Sequence, residues 1–268
     1  MFSTRGGFFN NDIIPSTFAN SAFNFGSNRY LDVSWSGNTD ALNNIVATSG
    51  WTMEYWFYIT NTSSFGLGSS GAGPGGKTGA GTTQTGAGSL GPDQNQRISF
   101  QYYMGAGSIS INTNANVYTA NTWNNIACVT TTSGSNTTFS IYVNGTREQI
   151  QVGSGSFANT QTVSNAVAGG TAWSIGQNRV SGIFARTWSN IYFDNLRVSN
   201  VNRYSGASYS VSTVPFTSDS QTQLLMLMNG SNGSTTFTDS SSQARTITNS
   251  PSTGNVYIYI SNARTNHS

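Results

Sequence analysis

Nine short runs of aromatic and β-branched residues, set apart by Gly, Asn and Ser, most narrow what this chain can fold into. The strongest runs from Trp51 to Ile59 and reads Trp-Thr-Met-Glu-Tyr-Trp-Phe-Tyr-Ile. The others are Arg97–Met104, Ser108–Asn112, Trp123–Thr131, Thr137–Asn144, Ala172–Gly176, Ile191–Val198, Leu224–Met228 and Val256–Ile260. Short strands at this spacing build a sandwich or a barrel. No window carries an apolar period of 3.6 residues for more than a turn or two. Alternation places Phe139, Ile141 and Val143 on one face of a strand, with Ser140 and Tyr142 on the other. Asn144-Gly145 then supplies the left-handed pair of a tight hairpin, and Asn229-Gly230 and Asn232-Gly233 repeat that signal.

Charge is scarce. Asp, Glu, Lys and Arg make up 7% of the 268 residues, against roughly 25% in an ordinary globular protein. Disordered chains also lack aromatic residues, whereas this one is 12% aromatic. It can therefore bury a core, and its solubility must come from Ser, Thr, Asn and Gly. The arginines are dispersed and the net charge is +2, which does not fit a nucleic-acid footprint. No run approaches the ~18 apolar residues of a membrane span. Cys128 is the single cysteine, so no intramolecular disulfide forms. The residues after Met1–Gly7 lack the apolar run of a signal peptide, so we expect synthesis in a cytoplasm and use without export.

The length suits one large β-sandwich. We divide the chain into an N-terminal arm (1–19), a sandwich (20–260) and a C-terminal tail (261–268). Within the sandwich, 64–96 reads as a loop insertion, because Phe65–Gly91 holds eleven glycines in 27 residues. Such a segment is either a flexible linker or a loop that orders against a partner. Residues 223–260 read as closing strands. Arms on a compact, ion-poor domain suggest interlocking between copies.

Four segments occur in the order and spacing of the laminin-G-like, concanavalin A-like sandwich family. Phe23-Asn24-Phe25 to Tyr30-Leu31-Asp32-Val33 resembles its opening strand pair, and Trp51–Phe57 resembles its "F-T-I-E-F-W-V" strand. Trp123–Val129 with Ile141-Tyr142-Val143-Asn144-Gly145 resembles "W-H-H-V-A-V … L-Y-V-D-G". Ser174-Ile175-Gly176 with Phe193–Val198 resembles "I-G … I-D-E-V-R-I". The resemblance spans residues ~20–205 and implies an all-β, two-sheet antiparallel jelly-roll sandwich. The segment Leu224–Ser241 resembles the stretch that usually begins such a module, here placed last. The Ser/Thr/Asn/Gly-rich style also resembles laminin-G-like proteins of tailed bacteriophages.

Catalysis finds little support in the residues. Glycosidases of this fold use a pair of carboxylates, yet Glu54 and Glu148 are the only glutamates and neither has an acidic neighbour at the required spacing. Serine or cysteine chemistry needs a base, and the sole histidine is His267. Cys128, between Ala127 and Val129, reads as a small buried hydrophobe. One Cys and one His make no zinc set, and Gly75-Gly76-Lys77-Thr78 is only the end of a phosphate-loop pattern. Calcium needs six to eight oxygens. Asp32, Asp93, Asp194, Asp219 and Asp239 are candidates without a cluster, and period two puts Asp194 on the face of Leu196 and Val198.

We therefore expect no enzyme and no obligate cofactor, with Ca²⁺ the one ion worth weighing. The leading expectation is a phage virion structural protein, a capsid decoration or surface-appendage protein. Its partners would be other virion proteins and copies of itself, not nucleic acid or membrane. The alternative is an adhesin that binds host-surface glycan. Candidate contact residues for either are Trp35, Trp173, Trp188, Tyr204, Tyr209 and Lys77.

Overall fold

A computed structural model describes residues 21–25, 29–34, 36, 40–42, 45, 50–59, 75–76, 86–93, 95–104, 107–164, 173–175, 177–180, 183–187, 191–251 and 256–260. The expected arm and tail, most of the glycine-rich insertion, Trp35, Lys77 and Trp188 lie outside these residues. All described elements are strands. In chain order they are β1 (Ser21–Phe25), β2 (Arg29–Val33), β3 (Gly50–Ile59), β4 (Gly75–Gly76), β5 (Gly86–Pro92), β6 (Ile98–Met104) and β7 (Gly107–Thr113). There follow β8 (Trp123–Ser133), β9 (Asn136–Val143), β10 (Thr146–Arg147), β11 (Ile150–Val152), β12 (Gln161–Ser164) and β13 (Trp173–Ile175). The last six are β14 (Gln177–Val180), β15 (Ile183–Thr187), β16 (Ile191–Ser199), β17 (Thr222–Met226), β18 (Ile247–Pro251) and β19 (Tyr257–Ile260).

One layer is a nine-stranded antiparallel sheet in the order β10-β9-β8-β3-β16-β1-β19, with β12 beside β9 and β17 beside β16. The other comprises two four-stranded sheets, β11-β7-β6-β5 and β18-β2-β13-β4. Alternating residues of both layers meet in a single apolar core. Trp51, Met53, Tyr55, Phe57 and Ile59 of β3 enter it from one side, and Phe100, Ile111, Trp173 and Ile175 from the other. Trp51 and Phe100 bring their rings to 6.2 Å across the gap, and Phe100 and Phe139 to 5.6 Å. The Tyr55 hydroxyl donates to the Leu90 carbonyl at 2.7 Å, tying β3 to β5. The fold is the expected all-β sandwich.

Residues 222–260 join both layers. β17 pairs with β16, β18 with β2 and β19 with β1. Edge strands invite further pairing unless blunted, and β19 is blunted by its own neighbourhood. The Ile258 amide donates to Ser234 O and its carbonyl accepts from Gly233 N, both at 2.8 Å. Asn249 holds the amide and the carbonyl of Val256 with its side chain, at 3.0 and 2.7 Å.

Three local readings need correction. The span 64–96 is not all loop: 86–92 forms β5, because a Gly-rich strand next to β6 needs only Leu90, fully buried, to anchor it. Asn144-Gly145 does form the tight turn (φ 49° and 80°) and Gly233 is left-handed as expected (φ 82°), but at Asn229-Gly230 the left-handed residue is the preceding Met228 (φ 54°). Gly230 lies against the end of the Ile258 side chain, where a Cβ would sit 2.5 Å from Cδ1 and displace that methyl. Asp194 does not share a face with Leu196 and Val198. A bulge between Asp194 and Arg197, with Asn195 at φ 54°, inverts the alternation.

Cys128 lies in the core with no exposed surface, and burial pushes its thiol up from the usual cysteine range. The thiol should not react with a disulfide reagent in the native protein and should react with one equivalent in denaturant. Fast native labelling would mean that β8 opens readily.

Candidate functional site

The outer face of the nine-stranded sheet carries the densest polar cluster among the described residues. Alternation along β3 turns Thr52, Glu54, Trp56 and Tyr58 away from the core. Residues 200–217, following β16, cross this face as a strap. The strap begins on Thr52, whose hydroxyl donates to Val201 O at 2.7 Å and accepts from Arg203 N at 3.0 Å. It is held close: a Cβ on Gly50 would fall 2.5 Å from Asn202 N.

Glu54 is fully buried beneath the strap. Arg197 reaches it from β16 with Nε and Nη2, both on Oε1 at 2.9 and 2.7 Å. The Tyr204 hydroxyl takes the other oxygen at 2.5 Å. The Tyr209 hydroxyl donates to Asn125 Oδ1 at 2.5 Å, and its amide donates to Gly145 O at 2.8 Å. The Tyr142 hydroxyl meets the carbonyls of Tyr204 and Gly206 at 3.1 and 2.8 Å. Tyr204 and Tyr209 stack at 3.7 Å with an 8° tilt, over Ala127, Val129 and Tyr142. Burial, then the nearby Glu54 carboxylate, raises both phenols above the ordinary tyrosine range. They stay protonated and donate.

Of the six contact candidates, the structure brings together Tyr204 and Tyr209. Each spends one ring face on the other and turns its hydroxyl inward, so both serve the strap. Trp173 is corrected from a surface contact to a core residue, because its partner in the ladder is Val33 and its side chain has no exposure. Sequence reasoning noted Glu54 only as a lone acid. The available signal was a glutamate alternating with core residues in a chain holding two.

Most of the remaining described carboxylates are also engaged. Asp40 accepts a two-toothed grip from Arg245 at 2.8 Å to each oxygen, and the amides of Ser36 and Leu42 at 2.8 and 2.9 Å. Asp239 collects the amides of Leu225, Ser241 and Arg245, each at 2.9 Å. Asp93 holds Arg97 at 2.7 Å, and Asp219 holds Arg203 at 2.9 Å. Asp32 and Asp194 have partners as well. Glu148 is half-buried, and that burial raises its carboxyl. Among the described residues no three His, Cys, Asp or Glu converge as metal ligands. A small pocket between Met226, Met228, Asn229, Phe237, Ser240 and Ile258 is lined by polar and apolar groups alike and holds no acid. No helix among the described residues is long and apolar enough to cross a membrane.

Asp40 supplies a pH test. Burial alone would raise its carboxyl, but Arg245 and the amides of Leu42 and Ser36 outweigh it and hold the group below the ordinary aspartate value. The folded state thus favours the carboxylate. That contribution is complete above the unfolded pKa of about 3.9 and fades as pH falls through the lower folded value. Urea midpoints at pH 7 and 5 should show Asp40→Asn destabilised by a similar margin, which narrows by pH 3. A margin that widens on acidification would reverse the assignment.

Comparison with known proteins places this geometry. The family described as the concanavalin A-like lectin/glucanases superfamily matches residues 25–203. No curated protein matches the chain. A solved structure of a candidate carbohydrate-binding protein from Bacteroides ovatus ATCC 8483 is similar, with a TM-score of 0.51 and 16% identity. The match covers 90% of this chain and 60% of that one, so the chain spans well under two thirds of that protein. The heptameric SAP-like pentraxin of Limulus polyphemus gives a TM-score of 0.41 and 13% identity over 72% of this chain and 79% of that one. Tailspike protein 2 of Escherichia coli O157:H7 bacteriophage CAB120 gives 0.31 and 14% over 67% and 25%. With the family matched across most of its length and the sandwich in place, the chain belongs to the concanavalin A-like lectin/glucanases superfamily.

Proposed function

We propose that this protein is a structural component of a tailed-phage virion, a capsid decoration or surface-appendage protein that works by contact and without catalysis. It is made in the host cytoplasm and packs against other virion proteins and copies of itself. One observation carries this reading: Glu54, Asp40, Asp93 and Asp239 are tied to arginines or backbone amides inside the fold. A general acid or base must reach a substrate proton, and these groups are turned inward. The surface left to act is rich in neutral hydroxyls and amides, which suits packing by shape and hydrogen bonding.

A second reading, glycan binding, is favoured by the outer face of the second layer. Leu31, Val33, Trp173 and Ile175 face the core, which turns Asp32 and Ser174, opposite one another in register, to the other side. Ser99 and Asn112 do the same on β6 and β7 and share a 2.6 Å hydrogen bond. Ser99, Asn112 and Ser174 are buried there, so the reading is supported by the half-buried Asp32 and by the match to a lectin/glucanase family.

Mass spectrometry of purified particles tests the first reading. The protein should be present at a fixed copy number per virion. Its absence from particles, with the free protein retained on a glycan array, would transfer the assignment to the second.

A further inference from the structure

We propose that a row of aromatic residues on the outer face of the nine-stranded sheet binds a single chain of neutral polysaccharide. The proposal deepens the glycan reading and rests on it, but locates the contact away from the second layer. Four residues form the row. Trp123 on β8 lies opposite Tyr58 on β3, and Tyr58 lies opposite Tyr192 on β16. Asn24 on β1 comes next in register, and Tyr257 on β19 ends the row at the sheet edge. All four aromatic side chains point outward, because their neighbours Phe57, Ile59, Ile191, Phe193 and Ile258 fill the core.

The strap leaves this row open. Its nearest hydrogen bonds to the sheet reach Glu54, two outward positions back along β3, and Asn125, one such position back along β8. Trp123, Tyr58 and Tyr192 remain partly exposed, and Tyr257 is 40% exposed, among the few large apolar side chains to be so. The centroid of Tyr58 stands 5.8 Å from Trp123 and 5.9 Å from Tyr192. One ring on each of β8, β3 and β16, at a strand spacing of roughly 4.8 Å, with Asn24 of β1 between them and Tyr257, offers successive rungs on the scale of a sugar ring.

Chemistry selects the ligand. The row contains no ionisable side chain other than phenols, and the outward charge nearest in register, Asp194 opposite Trp56, is 7% exposed. Among the described residues no cation lies in the row to pair with phosphate, sulfate or carboxylate, so the matching ligand is uncharged. Tyr and Trp each combine an apolar ring with a polar tip, which suits a ligand of C–H faces and hydroxyl edges. The rings are tilted by 56° and 77° rather than coplanar. They make a ridged surface that fits one twisting chain better than a flat crystalline face.

Native gel electrophoresis through gels cast with dextran, galactomannan or soluble β-glucan tests the proposal, with alginate as the anionic control. At least one neutral polymer should retard the protein. Trp123→Ala and Tyr257→Ala should each weaken that retardation about tenfold, the loss of one central contact, while Trp123→Phe keeps part of it. Tyr257 ends the edge strand and tolerates truncation, so its variant separates binding from folding, checked by an unchanged melting temperature. Retardation untouched by these variants would overturn the row while leaving the glycan reading standing. Absence of retardation by every polymer would remove both. Retardation by alginate alone, or self-association abolished by the same variants without any effect of polymer, would also overturn it, the latter by making the row a protein interface.

Discussion

A single buried ion pair organises the outer face of this sandwich. Glu54 sits in the middle strand of an apolar sheet, in a chain with very few charges, and cannot be left unpaired there at tolerable cost. Arg197, one strand away, neutralises it. Tyr204 then takes the remaining oxygen and draws the strap down, which brings Tyr209 onto Asn125 and the Gly145 turn. Gly145 has the positive φ of that turn, and a Cβ there would strike Tyr209 O at 2.3 Å. Ion pair, strap and hairpin are thus one interlocked unit.

Arg245 plays the matching part at the other layer. Beyond its grip on Asp40, it donates to Ser34 O and Gln223 O at 3.1 and 2.8 Å. The loop after β2, the strand β17 and the turn before β18 therefore meet on one guanidinium. Replacing a buried pair by well-packed apolar groups is often neutral, whereas removing one partner is severe. In a chain this poor in ions, such pairs specify which segments close the sandwich, and they leave few charges for anything else.

Much of this was legible in the residues. The strand-length runs, the alternation along β9 and the Asn-Gly turn at 144–145 are local signals, and local signals survive folding. The closing role of the C-terminal segment was legible through its resemblance to an opening segment. The failures are non-local. Alternation carried through Asp194 gave the wrong face because a bulge at Asn195 cannot be seen in period-two reasoning. Trp173 read as a surface contact, although its run was strand-like, because nothing local says which face of β13 meets the core. The Glu54–Arg197 pair joins residues 143 apart in sequence, and the four rings of the aromatic row come from strands that only the sheet order brings together.

The clamp can be measured by a double-mutant cycle in urea, with Glu54→Gln, Arg197→Met and both together. If the pair organises the face, each single change costs about 3–5 kcal/mol. The double change should then cost about 1–3 kcal/mol less than the sum. Single changes that add to within about 0.5 kcal/mol, with amide exchange in the strap unaltered, would show that the strap is held by something else and would contradict the account.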